Sequence, residues 1–336
     1  MSNAISRFAE PLRIGPVEIP NRAFLAPMSG ITDLPFRRMA ARYAAGLVVS
    51  EMVACESAAL GSEEARLRAE GEGLAIHVVQ LAGREPSAMA EGVRIAEAAG
   101  AAIIDINMGC PAKRVTSGYA GSALMRDVYL ALRLIEATVR TASVPVTLKM
   151  RLGWDERSLN APEIAVKAEA AGVQLITVHG RTRCQFYQGS ADWAAIRRVK
   201  DAVSVPLVAN GDLVRAEDAP KMLAASGADA VMIGRGACGR PWIVGQTGAL
   251  LGGRSPSAAP EGEALLDHIL EHYEAMLAYY PAGQGIRIAR KHLGWYLERS
   301  AAPAGLRQAI LTGSEPKAVM RLIRAAFARG DVAVAA

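Results

Sequence analysis

The chain has 336 residues, 51% of them hydrophobic and 21% charged, with a formal net charge of +5. That is enough apolar material for one large domain plus a small one, and it excludes a disordered chain. The mild basicity permits a nucleic-acid partner without requiring one. No run of about 18 apolar residues occurs, which excludes a helical membrane span. The N-terminus lacks a signal-peptide pattern, so a cytoplasmic protein with reduced thiols is expected. The four cysteines, Cys55, Cys110, Cys184 and Cys238, form no C-x-x-C pair, and no histidine lies at zinc-like spacing from them. No metal site is expected.

Short apolar runs recur at Ala23–Ala26, Leu47–Val49, Ile76–Val79, Ile103–Ile106, Val146–Leu148, Leu175–Val178, Leu207–Ala209 and Ala230–Ile233. Most are continuously apolar, as strands covered on both faces of a parallel sheet are. Between them lie stripes at helical spacing: Leu34–Tyr43, Pro86–Ala99, Ala123–Arg140, Pro162–Ala171, Trp193–Ala202 and Ala216–Ala225. Gly100, Gly172 and Gly227 stand where helices would end. Strand and helix alternating eight times predict an α/β fold, a (β/α)₈ TIM barrel over residues 1–245. The interval after the fourth strand is the longest, and the excess falls at Met108–Ala120. A Gly/Ser/Ala/Pro-rich stretch reads as a linker over 246–262. Helical patterns at Glu263–Tyr280, Gly285–Ser300, Ala304–Leu311 and Glu315–Arg329 then predict an all-α helical-bundle domain over 263–336.

Barrels carry function at the carboxyl ends of their strands. There the sequence places Pro27-Met28-Ser29, Glu51, Gln80, Asn107 and Cys110, Lys149 and Arg151, His179 and Arg181, Asn210-Gly211-Asp212, and Gly234-Arg235-Gly236. The last two groups either cradle a phosphate on backbone N–H groups or form ordinary tight turns. Lys149 either stabilises negative charge on a bound ring or pairs with Asp105 or Glu51. His179 is a ligand contact or a core histidine. Gln80 brackets a ring edge or fills a barrel layer. Cys55, Cys184 and Cys238 read as small buried hydrophobes. Cys110 differs because it lies on the added loop, where an ordinary, protonated thiol can serve as an acid.

Six stretches carry a resemblance: Ala26-Pro27-Met28-Ser29-Gly30-Ile31-Thr32-Asp33, Asp105-Ile106-Asn107-Met108-Gly109-Cys110-Pro111, Leu148-Lys149-Met150-Arg151-Leu152-Gly153-Trp154, Val178-His179-Gly180-Arg181-Thr182-Arg183, Ala209-Asn210-Gly211-Asp212 and Met232-Ile233-Gly234-Arg235-Gly236. They resemble the flavin-dependent tRNA-dihydrouridine synthases. The run Arg290-Lys291-His292-Leu293-Gly294-Trp295-Tyr296 is similar to the B-type bacterial branch, which includes proteins once named as nitrogen-regulation products.

The resemblance implies FMN at the barrel mouth and NADPH as its reductant. Pro27, Met28 and Ser29 would flank the flavin ring, Gln80 its edge and Lys149 its N1/O2 side. His179, Asn210, Gly211, Asp212, Gly234 and Arg235 would hold the remainder. A D-loop uridine flipped from tRNA would meet Asn107 and Arg181. Hydride would reach C6, and Cys110 would protonate C5.

From Gln284 to Gly330 nine Lys/Arg residues face only Glu298 and Glu315, a local excess of +7. Arg287, Arg290 and Lys291 at i, i+3, i+4 share one helix face and are expected to meet the RNA backbone, unless they are simply a solvated surface. A monomer is expected. Two rivals remain. A small-pyrimidine FMN barrel such as a dihydroorotate dehydrogenase leaves the basic helical domain unexplained. A non-catalytic RNA-binding protein leaves the cofactor motifs and Cys110 unexplained.

Overall fold

The computed structural model describes residues 8–281 and 283–327. Its first element is a hairpin that the periodicity did not predict, β1 (Leu12–Ile14) and β2 (Val17–Ile19), paired antiparallel around Gly15. Eight strands follow: β3 (Ala23–Leu25), β4 (Leu47–Ala54), β5 (Val78–Ala82), β6 (Ile103–Met108), β7 (Val146–Arg151), β8 (Leu175–His179), β9 (Leu207–Asn210) and β10 (Ala230–Ile233). They close into one parallel barrel in chain order, with β10 returning to β3. The fold is the expected (β/α)₈ barrel, with a helical region following it in the chain. Ile14, Ile19, Phe24, Val49, Val78, Ile103, Val208 and Met232 belong to one buried cluster, so the hairpin shares the apolar core of the strands.

Several strands run past the apolar segments that signal them. β4 continues through Ser50-Glu51, β6 through Asn107-Met108 and β7 through Lys149-Met150-Arg151. Backbone pairing does not stop where side chains become polar, and these last rungs of the ladder deliver polar groups to the barrel end. Register settles which groups meet: Gln80 pairs with Asp105, Asp105 with Thr147, Asn107 with Lys149, and Arg151 with His179. The β4–β5 ladder shifts register between Val49 and Met52. Irregularities of this kind re-aim side chains next to sites.

The surrounding helices are α1 (Leu34–Arg42), α2 (Cys55–Ala59), α3 (Glu63–Ala69), α4 (Pro86–Ala98), α5 (Lys113–Thr116), α6 (Val128–Thr141), α7 (Ala161–Ala170), α8 (Arg197–Lys200), α9 (Ala219–Ser226) and α10 (Ile243–Leu251). Asp33 caps α1 by accepting from the Phe36 N–H at 3.0 Å, and Gly227 ends α9 at φ 68°. The helix expected over Ala123–Arg140 is split. Gly121–Arg126 forms a 3₁₀ turn, and Asp127 then caps α6 through the Leu130 N–H. Only Arg197–Lys200 of Trp193–Ala202 is helical, and the Trp193 indole N–H before it donates to the Gly211 carbonyl at 2.8 Å.

The linker expected over 246–262 needs correction. Its first part belongs to α10, whose Ile243, Val244 and Leu251 are buried. Small residues between those apolar positions mask a helical spacing. The chain divides into one compact unit of residues up to Gly236 together with Val244–Pro256, and a second of Ala237–Ile243 with Ser257 onward. The second unit holds α11 (Gly262–Tyr279), α12 (Gln284–Leu297), α13 (Ala304–Thr312) and α14 (Pro316–Phe327) around Ile269, Tyr273, Met276, Leu293, Tyr296 and Ile323. Arg329, expected to end the last helix, lies outside the described residues.

Candidate active site

Strand alternation puts Asp105 and Asn107 on one face of β6, and Thr147, Lys149 and Arg151 on one face of β7. Asp105 is buried and accepts from the Thr147 hydroxyl at 2.6 Å and the Gln80 amide at 2.7 Å. Burial pushes its carboxyl up, against the opposing pull of Thr147, Gln80 and the Lys149 charge. The Gln80 carbonyl then faces the Asn107 amide, which donates to it at 2.7 Å. That leaves the Asn107 carbonyl to accept from the backbone N–H groups of Cys110 at 3.0 Å and Gly109 at 3.2 Å. Hydrogen-bond polarity therefore passes in one direction from a buried carboxylate to the backbone of the cysteine loop.

Two further ties fix that loop. The Cys110 carbonyl accepts from the Ser122 hydroxyl at 2.8 Å and the Ser122 N–H at 3.1 Å. Gly121, at φ 60°, lies so close beneath that a side chain there would meet the Cys110 carbonyl at 3.0 Å and Cβ at 3.2 Å. From β7, the buried Arg151 donates to the Gly109 carbonyl at 2.8 Å. It also donates to the carbonyls of Thr182 at 2.8 Å and Phe186 at 2.9 Å, joining the cysteine loop to the loop after β8. Cys110 itself is half-buried, so its thiol is held but reachable.

Lys149 is half-buried and donates to the Asn210 side-chain carbonyl at 3.1 Å, while the Asn210 amide donates to the Met232 carbonyl at 2.8 Å. Neither carboxylate that could have paired with Lys149 does so. Asp105 is taken by Gln80 and Thr147, and Glu51 accepts from the Gly30 N–H with Arg68 3.8 Å away. Burial, then the neighbouring Arg151 charge, lowers the lysine to about 8. His179 is lowered to about 2 by burial, then by Lys149, Arg151, Arg181 and Arg235, so it is neutral. Its Nδ1 is buried without a hydrogen-bond partner.

Two expected residues are tied to each other within the protein. Arg181, expected at the uridine, is fully buried. It forks onto Asp212 at 2.9 and 2.5 Å and donates to the carbonyls of Gln188 at 3.1 Å and Gly189 at 2.6 Å. Four of its five N–H bonds are thereby spent. Asp212, expected at the phosphate, faces cations instead: Arg181, and Arg235 at 3.2 Å. It thereby joins the two arginines. The Arg235 guanidinium lies 4.8 Å from the centroid of the exposed Tyr187 ring.

The remaining expected residues are where the strand-end rule puts them. Pro27 and Met28 are half-buried and Ser29 exposed after β3. A side chain at Gly234 would meet only Met28 Sδ at 3.5 Å and Ala26 Cβ at 3.8 Å. Gly211 takes φ 122°, a conformation that favours glycine. Of the other cysteines only Cys55 is buried, its thiol pushed up to about 12 by desolvation; Cys184 is exposed and Cys238 half-buried. Arg151 stood among the strand-end residues with no role assigned, Asp105 stood only as a possible partner of Lys149, and Thr147 and Ser122 were not named for the site. The alternation Thr147-x-Lys149-x-Arg151 beside Asp105-x-Asn107 was the available signal.

In the helical unit Arg287 and Lys291 are exposed. Arg290 is half-buried and reaches the Gly313 carbonyl at 3.5 Å, so the exposed basic face consists of Arg287 and Lys291, with Arg299, Lys317, Arg321 and Arg324 also exposed. A groove of about 550 Å³ opens between the loops after β7 and β8, lined by Asp155, Arg157, Thr182, Cys184, Gln185 and Gln188.

A closed eight-stranded barrel with a polar relay, a lysine and a tethered cysteine at its carboxyl end has the build of a (β/α)₈-barrel enzyme. The chain belongs to the dihydrouridine synthase family, whose model matches residues 24–330. It is 57% identical over 305 residues to a probable tRNA-dihydrouridine synthase of Rhizobium leguminosarum bv. phaseoli, covering 90% of this chain and 94% of that one. It is 45% identical over 317 residues to tRNA-dihydrouridine synthase B of Xanthomonas axonopodis pv. citri, covering 94% and 96% respectively. Among solved structures, histamine dehydrogenase from Rhizobium sp. 4-9 shares the fold, with a TM-score of 0.56 and 11% identity over 98% of this chain and 66% of that one. No helix among the described residues is long and apolar enough to cross a membrane.

Proposed function

We propose that this protein reduces the C5–C6 bond of D-loop uridines in tRNA, with FMN as cofactor and NADPH as electron donor. The observation that carries this reading is the tethering of Cys110: Asn107, Ser122 and Arg151 hold the backbone around one reachable thiol at the barrel end that also presents Lys149. Family membership and the names of the relatives support the substrate.

The donor set suits an anionic, phosphorylated group. Lys149 has one neutral partner and N–H bonds to spare, His179 Nδ1 is buried with no partner, and Arg235 stands exposed. Lys149 and His179 would hold the flavin, with Pro27, Met28, Ser29 and Gln80 near its ring and Asn210, Gly211, Gly234 and Arg235 toward its phosphate. When bound, FMN would supply the hydride for uracil C6, with NADPH as its reductant. The addition is completed by a proton at C5, and Cys110 donates it; the thiolate left behind is reprotonated from water. Lys149, lowered to about 8 but still largely cationic at neutral pH, offsets negative charge beside it. Arg287 and Lys291 meet the RNA backbone.

The test is Cys110→Ala. The variant is expected to keep bound flavin and NADPH oxidation but to form less than about one-hundredth of the product, the usual scale for removal of a general acid. Full product yield would remove Cys110 from the chemistry.

A further inference from the structure

Four cations, three from the segment after β6 and one from the loop after β8, gather around Trp154 of the loop after β7. Lys113 and Arg114 lie exposed on α5, and Arg126 is exposed at the end of the 3₁₀ turn. Arg183 is half-buried, and its Nη2 lies 3.5 Å from Thr116 Oγ1 at the end of α5. Arg126 and Arg183 share one indole: their guanidinium carbons lie 4.9 and 4.7 Å from the Trp154 ring centroid. Arg183 also sits 4.5 Å from the Phe186 ring. Among the described residues none of the four cations has a carboxylate within salt-bridge distance, although ion pairs occur elsewhere on the barrel. Of the described acids close in sequence, Asp127 caps α6 and Asp155 accepts from Ser158 at 2.8 Å, while the exposed Glu156 forms no ion pair with any of the four.

An aromatic ring orients a guanidinium without neutralising it. Two arginines fixed on one indole, beside two more unpaired cations, make a preorganised surface that lacks its counter-charge. Arginine suits phosphate because its planar fork can bind two oxygens at once. A single-stranded or looped RNA offers phosphates at short intervals and bases that stack beside them. The surface adjoins the Cys110 loop, since α5 lies in the added segment and the 3₁₀ turn follows directly after it.

We propose that Lys113, Arg114, Arg126 and Arg183, organised by Trp154, form an RNA-backbone-binding surface on the barrel unit that grips nucleotides flanking the target uridine. This rests on the tRNA reading above and places part of the RNA interface on the barrel rather than on the helical unit alone.

The test uses the full-length protein and an unmodified tRNA transcript, with affinity measured from about 50 to 200 mM salt. Every phosphate that the surface no longer neutralises is expected to flatten the plot of log K against log salt by about 0.7–0.9. The pair Arg126→Glu/Arg183→Glu is therefore expected to reduce the slope by about 1.4–1.8. The pair Arg126→Lys/Arg183→Lys, which keeps both charges, is expected to keep most of it. An unchanged slope in the Glu pair, in a protein that still reduces the transcript, overturns the proposal and gives the surface to another partner such as an acidic protein. An equal reduction of slope in the Lys pair also overturns it, because loop packing rather than charge would then be responsible. A wild-type protein that leaves the transcript unreduced refutes the functional reading itself, and with it this surface.

Discussion

Asn107→Asp changes one atom of the relay and tests whether its polarity is fixed. The wild-type amide donates to the Gln80 carbonyl at 2.7 Å. In the variant an oxygen would face that carbonyl instead. Gln80 cannot turn to offer its own amide without giving up the bond in which that amide donates to Asp105 at 2.7 Å. The loop bonds to Gly109 and Cys110 survive the change, so the conflict is confined to one hydrogen bond.

The new carboxyl can relieve the conflict by carrying a proton. From an ordinary value near 3.9, doing so at pH 7 costs about 4 kcal/mol. It can instead back away, giving up a bond and leaving a buried acceptor unpaired, at about 2–4 kcal/mol. The cheaper route sets the penalty at about 2–4 kcal/mol at pH 7, a fall in Tm of roughly 5–15 °C. The sign with pH follows from linkage. A carboxyl whose folded pKa is raised contributes no penalty below its unfolded value, and the penalty grows as pH rises toward the folded value. The deficit relative to wild type is therefore expected to shrink to roughly 1.5 kcal/mol at pH 5. Thermal melts of both proteins from pH 5 to 8 check this. A deficit that is absent or independent of pH would refute the fixed polarity.

Lys149→Met is expected to stabilise the flavin-free protein at pH 7 by at most about 3 kcal/mol. The folded lysine is depressed to about 8, so its cost is in full force below that value and fades as pH rises through 8 toward 10.5. The gain in Tm is expected to shrink by pH 9.5, while retention of flavin on desalting falls. His179, lowered to about 2, stays neutral in the fold while the unfolded chain takes a proton below about pH 6.5. His179→Gln is thus expected to lessen the acid loss of stability between pH 6.5 and 5 by about 1.6 kcal/mol in all, read from urea midpoints. Arg287→Glu with Lys291→Glu is expected to weaken tRNA binding and flatten its salt dependence, with flavin content unchanged.

The barrel was legible because its strands are buried on both faces, so eight apolar runs mark eight strands. The carboxyl-end rule then located Gln80, Asn107, Cys110, Lys149, His179 and Asn210 with no further information. Strand ends were less legible: in β6 and β7 the ladder continues through polar residues whose value lies across the sheet. Roles were least legible for charged groups. Arg181 and Asp212 read as ligand contacts, yet they spend themselves on each other, because a pairing across 31 positions leaves no local pattern. Arg151, placed at its strand end, received no role for a related reason. Its partners are backbone carbonyls, which every residue has. The linker composition concealed α10, and the basic stripe on α12 included Arg290, which the packing of α12 against α13 draws partly inward.

The central claim is uridine reduction with Cys110 as the acid. Its most direct test is to incubate the wild-type protein with FMN, NADPH and an unmodified tRNA transcript, digest the RNA and weigh the fragments by mass spectrometry. The account predicts D-loop fragments heavier by two hydrogens, dependent on NADPH and absent with Cys110→Ala. Transcript of unchanged mass, with NADPH consumed and flavin bound, would contradict it.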